Sequence, residues 1–265
     1  MKKKNGMEIA FISLLVFVAT FIMLNILIIF IQGAPYLREA ILSEEIRFSM
    51  KTSFITATTS TIVVMFLAIP SGYVLERMEF KGKKIISSII EIPLSLPYLV
   101  LGVCLLTLFA SDFGKLLRQL GFPVVFHRNG IIVAQILVNL PFVISMVRNI
   151  IKEIDPRFEF VAKKLGARSW YFFYTIVLKM CKQSFISIAL VCWSRAIGEF
   201  GATLMLVGVT RMKTETLPGS IYLNISTGDN NLAMASALLL LIIALLVQLI
   251  SRYLSKSNII LGRKG

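Results

Sequence analysis

The sequence predicts an all-α, polytopic membrane protein with six transmembrane helices. Hydrophobic residues make up 57% of the 265 residues and charged residues only 16%, which is far from the balance of a soluble domain. Six apolar runs each have the ~20 residues that a helix needs to cross a bilayer. Basic residues are concentrated in alternate loops, as is typical of a protein with a fixed orientation in a membrane.

The six runs follow one another within a single domain, residues 1–265. We predict spans at 9–31, 52–75, 85–110, 131–151, 184–208 and 232–253. The first run follows three lysines, a start that is also typical of a signal peptide. It is too long for the apolar part of such a peptide, and no small-residue cleavage site follows it. We therefore predict a retained first helix.

The lysines and arginines orient the chain. Of the 28, 19 lie on one side in loops and tails, 8 lie on the other side, and Arg195 lies inside a span. Because basic residues favour the cytoplasmic side, both termini and the loop between the fourth and fifth spans are predicted to be cytoplasmic. The net charge of +14 thus reflects orientation in a cell membrane and not contact with nucleic acid.

The second span carries hydroxyl side chains on one face, among them Thr56 and Ser60. Such residues usually join neighbouring helices through hydrogen bonds, which is our first interpretation. The alternative is that Thr56 and Ser60 line a polar pathway.

The third span contains Glu91 between the cytoplasmic end and two prolines, Pro93 and Pro97. The prolines should break the helical ladder, which is tolerated where protein or water satisfies the freed carbonyls. We expect Glu91 to form a local ion pair with the lysine cluster 81–84.

The loop at 155–179 is polar and basic, and it encodes a short amphipathic helix. Asp155-Pro156 predicts a helix start, and Gly166 predicts its end. Between them lies one apolar stripe at helical spacing: Phe158, Val161, Ala162 and Leu165. A helix of this kind either lies on the lipid surface or docks against a cytoplasmic partner.

The fifth span contains the run W-S-R-A-I-G-E-F-G-A-T at 193–203. Arg195 and Glu199 are four residues apart, so we expect a structural ion pair on one helix face. The alternative is that Arg195 turns toward a transport pathway and helps an anion through. Gly198 and Gly201 should let a neighbouring helix come close.

Two of these stretches resemble ABC-importer permeases. The loop is similar to their EAA loop, in which E-A-A, three residues, glycine and nine residues precede I-x-L-P. Phe160-Val161-Ala162 stands in place of E-A-A with Glu159 one position earlier, and Lys179 stands in place of the proline. The run at 193–203 is similar to the fifth-helix signature of molybdate, tungstate and sulfate importer permeases.

The resemblance implies a function and partners. It implies that the short helix is a cytoplasmic coupling helix, with Glu159, Ala162, Leu165 and Gly166 fitting a cleft on an ATPase subunit. It also implies a homodimer of permease chains, two ATP-binding subunits and an extracytoplasmic oxyanion-binding protein. ATP and Mg would then be used by the ATPase, and this chain would bind no cofactor.

The sequence contains no G-x-x-x-x-G-K-[ST] motif, no catalytic triad and no metal-ligand cluster. We therefore predict a transport subunit and not an enzyme, with no metal site. Two other interpretations stay open besides molybdate or tungstate import. One is a sulfate or thiosulfate permease of the same family. The other is an ion-coupled secondary transporter that uses Glu91, Arg195 and Glu199, although corresponding halves with matching broken helices are not evident.

Overall fold

The computed structural model describes residues 6–261, with side chains through residue 253. Every regular element in that range is helical, which confirms the predicted all-α class. The helices are α1 Gly6–Gly33, α2 Leu37–Leu42, α3 Glu44–Arg77, α4 Lys83–Glu91, α5 Tyr98–Ala110, α6 Asp112–Gln119, α7 Arg128–Lys152, α8 Pro156–Lys164, α9 Ser169–Phe172, α10 Leu178–Met180, α11 Lys182–Ile197, α12 Gly201–Val207, α13 Leu217–Ser226 and α14 Asn230–Leu261. A π-helical turn, Phe173–Val177, joins α9 to α10.

Four stretches are long and apolar enough to cross a membrane: Gly6–Leu42, Glu44–Arg77, Arg128–Lys152 and Asn230–Tyr253. They contain the first, second, fourth and sixth predicted spans. Two further stretches reach that length only as pairs of helices joined at a sharp bend, so the number of spans is four, or six if each bent pair is one span.

The third predicted span is the first bent pair. Lys83–Ser95 and Tyr98–Ala110 meet at 114°. Pro97 lies at the junction with an extended backbone, ψ 139°, and α5 begins directly after it. Because proline cannot donate a backbone hydrogen bond and disfavours helix in the residue before it, the break falls where the sequence predicts it.

The fifth predicted span is not one continuous helix. Helix α11 ends at Ile197, and α12 begins only at Gly201. On its other side α11 meets Ser169–Met180 at an angle of 73°. The expectation of a continuous helix over 184–208 was therefore wrong, because the apolar composition of this run does not reveal where its backbone turns.

Helices α3 and α7 form the centre of the molecule. They approach closely at Gly72, where an added Cβ would lie 2.6 Å from a methyl carbon of Val147. Helix α11 packs against both of them, and α14 packs behind α11 together with α13 and α1. The apolar side chains of α1 remain largely exposed, as expected for a helix surrounded by lipid.

The orientation of the chain in the membrane stays a prediction, and both termini lie outside the described residues. Lys164 and Asn230 are exposed on opposite predicted sides. In a variant without Cys104, Cys181 and Cys192, a cysteine at position 230 should react with a membrane-impermeant thiol reagent on intact cells, and one at position 164 should not. The reverse pattern would overturn the predicted topology.

Candidate functional site

The helix α8 starts and stops as the sequence predicts. The Asp155 side chain accepts a hydrogen bond from the backbone N–H of Arg157 at 2.8 Å, which caps the first turn. Gly166 follows the helix in the left-handed region, with φ +80°. The N–H of Ala167 then reaches back to the carbonyl of Ala162 at 2.9 Å, which closes the helix end.

The outer face of α8 and the chain that follows it form an exposed apolar groove of about 1100 Å³. Leu165 is 82% exposed and Trp170 is 70% exposed, while Phe158 and Val161 are about half exposed. Water-exposed apolar side chains in one contiguous patch are typical of a protein or membrane interaction surface. We call this cavity, with these four residues at its surface, the α8 groove.

Two of the predicted coupling residues, Ala162 and Glu159, are largely buried against the rest of the chain. Ala162 is only 7% exposed and belongs to the apolar core that includes Phe172 and Val147. The Glu159 side chain is 14% exposed and is turned toward the end of α3. The small side chain lets α8 lie close to its own chain, and because Ala162 also lines the groove, its predicted role in docking stays a prediction.

Arg77, which the sequence analysis did not single out, holds α8 in place. One terminal nitrogen donates to the carbonyls of Ile151 and Ile154, at 2.7 and 2.5 Å, at the end of α7. The other lies 3.7 Å from the Glu159 carboxylate. Lys163 binds the same carboxylate at 2.9 Å. One arginine therefore links α3, α7 and α8.

Glu91 also has a partner that the sequence did not indicate. Its carboxylate lies 3.2 Å from Arg148 of α7, and Ser87 donates to it at 3.1 Å. Arg148 is shared with Glu76, at 3.7 Å. The expected pairing with the lysine cluster 81–84 was wrong, because a cation on a neighbouring helix comes closer.

Arg195 lies within the fifth predicted span among neutral groups. Its Nε donates to the Asn139 side-chain oxygen at 3.2 Å, and a terminal nitrogen donates to the Tyr98 hydroxyl at 2.8 Å. The guanidinium also lies 4.2 Å from the centre of the Phe142 ring. Among the described residues it forms no salt bridge, so its charge is held in place but not neutralised.

Glu199 is 5% exposed and points the other way, toward the start of α12. It accepts hydrogen bonds from the backbone N–H groups of Ala202 and Thr203, at 2.8 and 3.2 Å, and from the Thr203 hydroxyl. A carboxylate here satisfies donors that a helix start leaves unpaired. The expected ion pair with Arg195 is not formed, because the helix turns after Ile197 and separates the two side chains.

The two glycines of this run lie in different surroundings. A Cβ at Gly201 would lie 3.2 Å from the Tyr98 side chain and 3.4 Å from the Leu99 nitrogen, so α5 and α12 meet there. Gly198 ends α11, and a Cβ on it would meet only the last turn of its own helix. A still tighter approach, which the sequence analysis missed, brings Gly102 of α5 against the Ala202 carbonyl.

Thr56 and Ser60 lie on the buried face of α3, against α7. The Ser60 hydroxyl donates to Gln135 at 2.9 Å, and the Gln135 amide donates to the Ala196 carbonyl at 2.8 Å and to the Thr56 hydroxyl at 3.4 Å. Asn139, one turn further along α7, donates to the Gln135 carbonyl at 2.9 Å. A continuous set of polar groups therefore runs from α3 through α7 to Arg195.

Long apolar helices, two sharply bent pairs and an exposed helix between predicted spans are the features of a polytopic membrane protein. The chain matches the model of the family described as "Binding-protein-dependent transport system inner membrane component" over residues 68–259. It belongs to that family and is the permease subunit of an ABC importer.

Curated relatives include two groups of oxyanion permeases. The molybdate/tungstate transport system permease protein WtpB of Pyrococcus furiosus is 31% identical over 78% of this chain and 80% of its own. The molybdenum transport system permease protein ModB of Haemophilus influenzae is 32% identical over 78% and 93%. The sulfate transport system permease protein CysT of Escherichia coli is 27% identical over 79% and 76%.

Solved structures support the fold. A bacterial alginate ABC transporter in complex with an alginate pentasaccharide-bound periplasmic protein superposes with a TM-score of 0.74 at 18% identity, covering 94% of each chain. The inward-facing MetNI methionine ABC transporter superposes with a TM-score of 0.63 at 19% identity, covering 82% of this chain and 99% of that one.

Proposed function

We propose that two copies of this chain form the pathway of an ATP-driven importer for a tetrahedral oxyanion, molybdate or tungstate. Relatives named for molybdate or tungstate transport, in an archaeon and in a bacterium, support this substrate class. The observation that carries the proposal is Arg195, a guanidinium within a predicted span whose described partners are all neutral. A charge at this depth in a predicted span is costly and usually serves transport, so a divalent anion is the cargo that best complements it.

Arg195 is arranged to attract an anion without trapping it. Its hydrogen bonds to Asn139 and Tyr98 and its contact with Phe142 fix the guanidinium, so little rearrangement is needed when an anion arrives. A single cation without a surrounding cage of donors binds weakly. Weak binding lets the anion leave on the other side, which a conducting pathway requires.

We also propose that the α8 groove docks a separate ATPase subunit. The groove presents Leu165 and Trp170 at the surface of the chain, while Arg77 and Glu159 tie the other side of α8 to α3 and α7. A movement imposed on α8 would therefore reach both central helices. Hydrolysis of ATP in that subunit would then drive the pathway, and an extracytoplasmic binding protein would deliver the anion.

Reconstitution tests this function. The permease, its cognate ATPase and its binding protein are placed in proteoliposomes, and uptake of radiolabelled molybdate is measured. Uptake should require ATP together with the ATPase subunit and the binding protein. Uptake driven by an ion gradient without ATP would contradict the proposal and support a secondary transporter.

Sulfate import is the second candidate, because the sulfate permease of Escherichia coli is among the relatives. The same proteoliposomes distinguish the two. An excess of unlabelled tungstate should abolish molybdate uptake, and an equal excess of sulfate should reduce it little. If sulfate competes as well as tungstate and is itself transported, the chain is a sulfate permease.

A further inference from the structure

A second cationic feature lies away from Arg195, on the face that we predict to be extracytoplasmic. A cavity of about 620 Å³ opens between the first half of α3, the start of α7 and the turn that follows α12. Three cations line it, one from each of these elements: Lys51, Arg128 and Lys213. None of the described residues that line it is acidic.

Arg128 is fixed at the wall of this cavity. Its Nε donates to the Lys213 carbonyl at 3.0 Å, and its guanidinium lies 4.9 Å from the centre of the Phe48 ring. The Lys213 carbonyl and the Phe48 ring are both uncharged, so neither contact neutralises the charge of Arg128. The positive charge of Arg128 is therefore positioned in advance and remains available to a ligand.

Lys51 and Lys213 are exposed, and neither forms a salt bridge with any residue that the structure describes. Two other cations on the same predicted face are paired: Arg211 binds the Glu45 carboxylate, and Lys115 lies 2.9 Å from Asp112. At the cavity, by contrast, three cations from separate elements come together without a carboxylate among the lining residues.

A histidine completes the rim. The Nδ1 of His127 accepts a hydrogen bond from the N–H of Asn129 at 3.2 Å. In a neutral imidazole the proton must then be on Nε2, so His127 can donate to a ligand oxygen. The Glu215 carboxyl lies in the same outer turn but is buried and accepts from the Met212 N–H at 3.2 Å. Burial raises the pKa of this carboxyl, and the carboxyl is not among the residues that line the cavity.

The floor of the cavity is polar and leads inward. Thr52 and Thr56 of α3 line it, and the Thr56 hydroxyl is the group that Gln135 contacts. Through Gln135 and Asn139 the polar groups continue to Arg195. At roughly 30 Å³ per water molecule the cavity has room for about 20 waters, enough for a hydrated ion and its shell.

We propose that this cavity is a low-affinity oxyanion site at the outer mouth of the permease, which holds a tetrahedral divalent anion between its release by the binding protein and its passage to Arg195. The proposal rests on the proposed function, since it names a second binding position for the same cargo. Because the cations come from three elements and two of them are exposed lysines, the anion keeps part of its hydration shell and binds weakly.

The permease with its ATPase subunit, in lipid nanodiscs and without binding protein, gives a direct test. Equilibrium dialysis with radiolabelled molybdate should detect binding in the millimolar range. Lys51→Gln and Lys213→Gln should each raise the Kd roughly fivefold, because each removes one unit charge close to a divalent ion. The matched control is Arg38→Gln, an exposed cation of α2 outside the cavity, which should leave the Kd unchanged.

Two results would overturn the site: no detectable molybdate binding by the parent transporter, or an equal Kd in all variants. Binding of the binding protein to the same nanodiscs is measured separately. If the Kd for molybdate is equal in all variants and the lysine variants bind the binding protein more weakly, the cations dock an acidic protein surface instead. If the parent transports molybdate in proteoliposomes while either result holds, the site alone fails. If the parent transports no oxyanion, the proposed function fails and the site fails with it.

Discussion

Replacing Leu165 with aspartate is expected to separate the permease from its ATPase while leaving the permease folded. Leu165 is 82% exposed in the structure, so a charge there costs the isolated chain little. In a docked complex the same side chain would be buried, and a buried leucine contributes about 1.5–3 kcal/mol. Its loss together with burial of an unpaired carboxylate should weaken ATPase binding at least ~30-fold.

The measurement is co-purification of the ATPase with the permease, followed by ATP hydrolysis stimulated by the loaded binding protein. Phe160→Asp is the matched control. Phe160 is an exposed apolar residue of α8 that lies against the Lys164 ammonium group, but it does not line the α8 groove. We expect Phe160→Asp to keep most of the stimulated hydrolysis. Normal hydrolysis in Leu165→Asp would show that α8 is a lipid-surface helix.

Replacements of Ala162 and Gly166 are expected to act differently from Leu165→Asp. Ala162→Asp places a charge in the core beneath α8, where Phe172 and Val147 pack, so it should lower the amount of folded permease as well as coupling. Gly166→Leu meets open space but would force a side chain into φ +80°, so it should distort the end of α8. Only replacements of the exposed groove residues therefore test docking without also disturbing the fold.

Local signals in the sequence correctly predicted where several helices begin, end or break. The cap at Asp155, the stop at Gly166 and the break at Pro97 all depend on the residue itself and its immediate neighbours. Such features can be read from a single stretch of chain because the backbone preference of the residue determines them.

Partners across helices could not be predicted in the same way. Arg77 reaches Glu159 from 82 positions away, and Arg148 reaches Glu91 from 57 positions away. Nothing in the spacing of these residues indicates that they meet, because the register between two packed helices depends on the whole interface. Arg195 and Glu199 show the converse: helical spacing predicted a contact, and the turn after Ile197 removed it.

Because Arg195 and Glu199 bond to different partners, their replacements are expected to have different effects. Removal of Glu199 leaves the N–H groups of Ala202 and Thr203 without their acceptor in a buried place. An unsatisfied buried donor costs about 1–3 kcal/mol, so Glu199→Ala should clearly reduce the amount of folded protein. Glu199→Gln, which keeps an acceptor oxygen, should restore part of it.

Arg195→Gln, in contrast to Glu199→Ala, is expected to leave the protein folded and to impair transport. Gln can still bond to neutral partners such as Asn139 and Tyr98, so we expect the variant to assemble in nearly normal amounts. It lacks the charge that we propose attracts the anion, so we expect ATP-dependent molybdate uptake to fall roughly tenfold or more, the effect of losing about 1.4 kcal/mol or more of charge interaction. Arg195→Lys, which keeps the charge but loses the planar fork, should lie between the two.

The double variant Arg195→Ala/Glu199→Ala decides whether the two residues depend on each other. Because they have separate partners, the losses of stability should add, within about 0.5 kcal/mol. The amount of folded protein and the thermal stability in detergent are measured for the parent, both single alanine variants and the double variant. If the double variant recovers much of the stability that Glu199→Ala loses, the residues form a structural ion pair in the membrane after all. In that case the charge of Arg195 serves the fold, and the anion must be attracted by other residues.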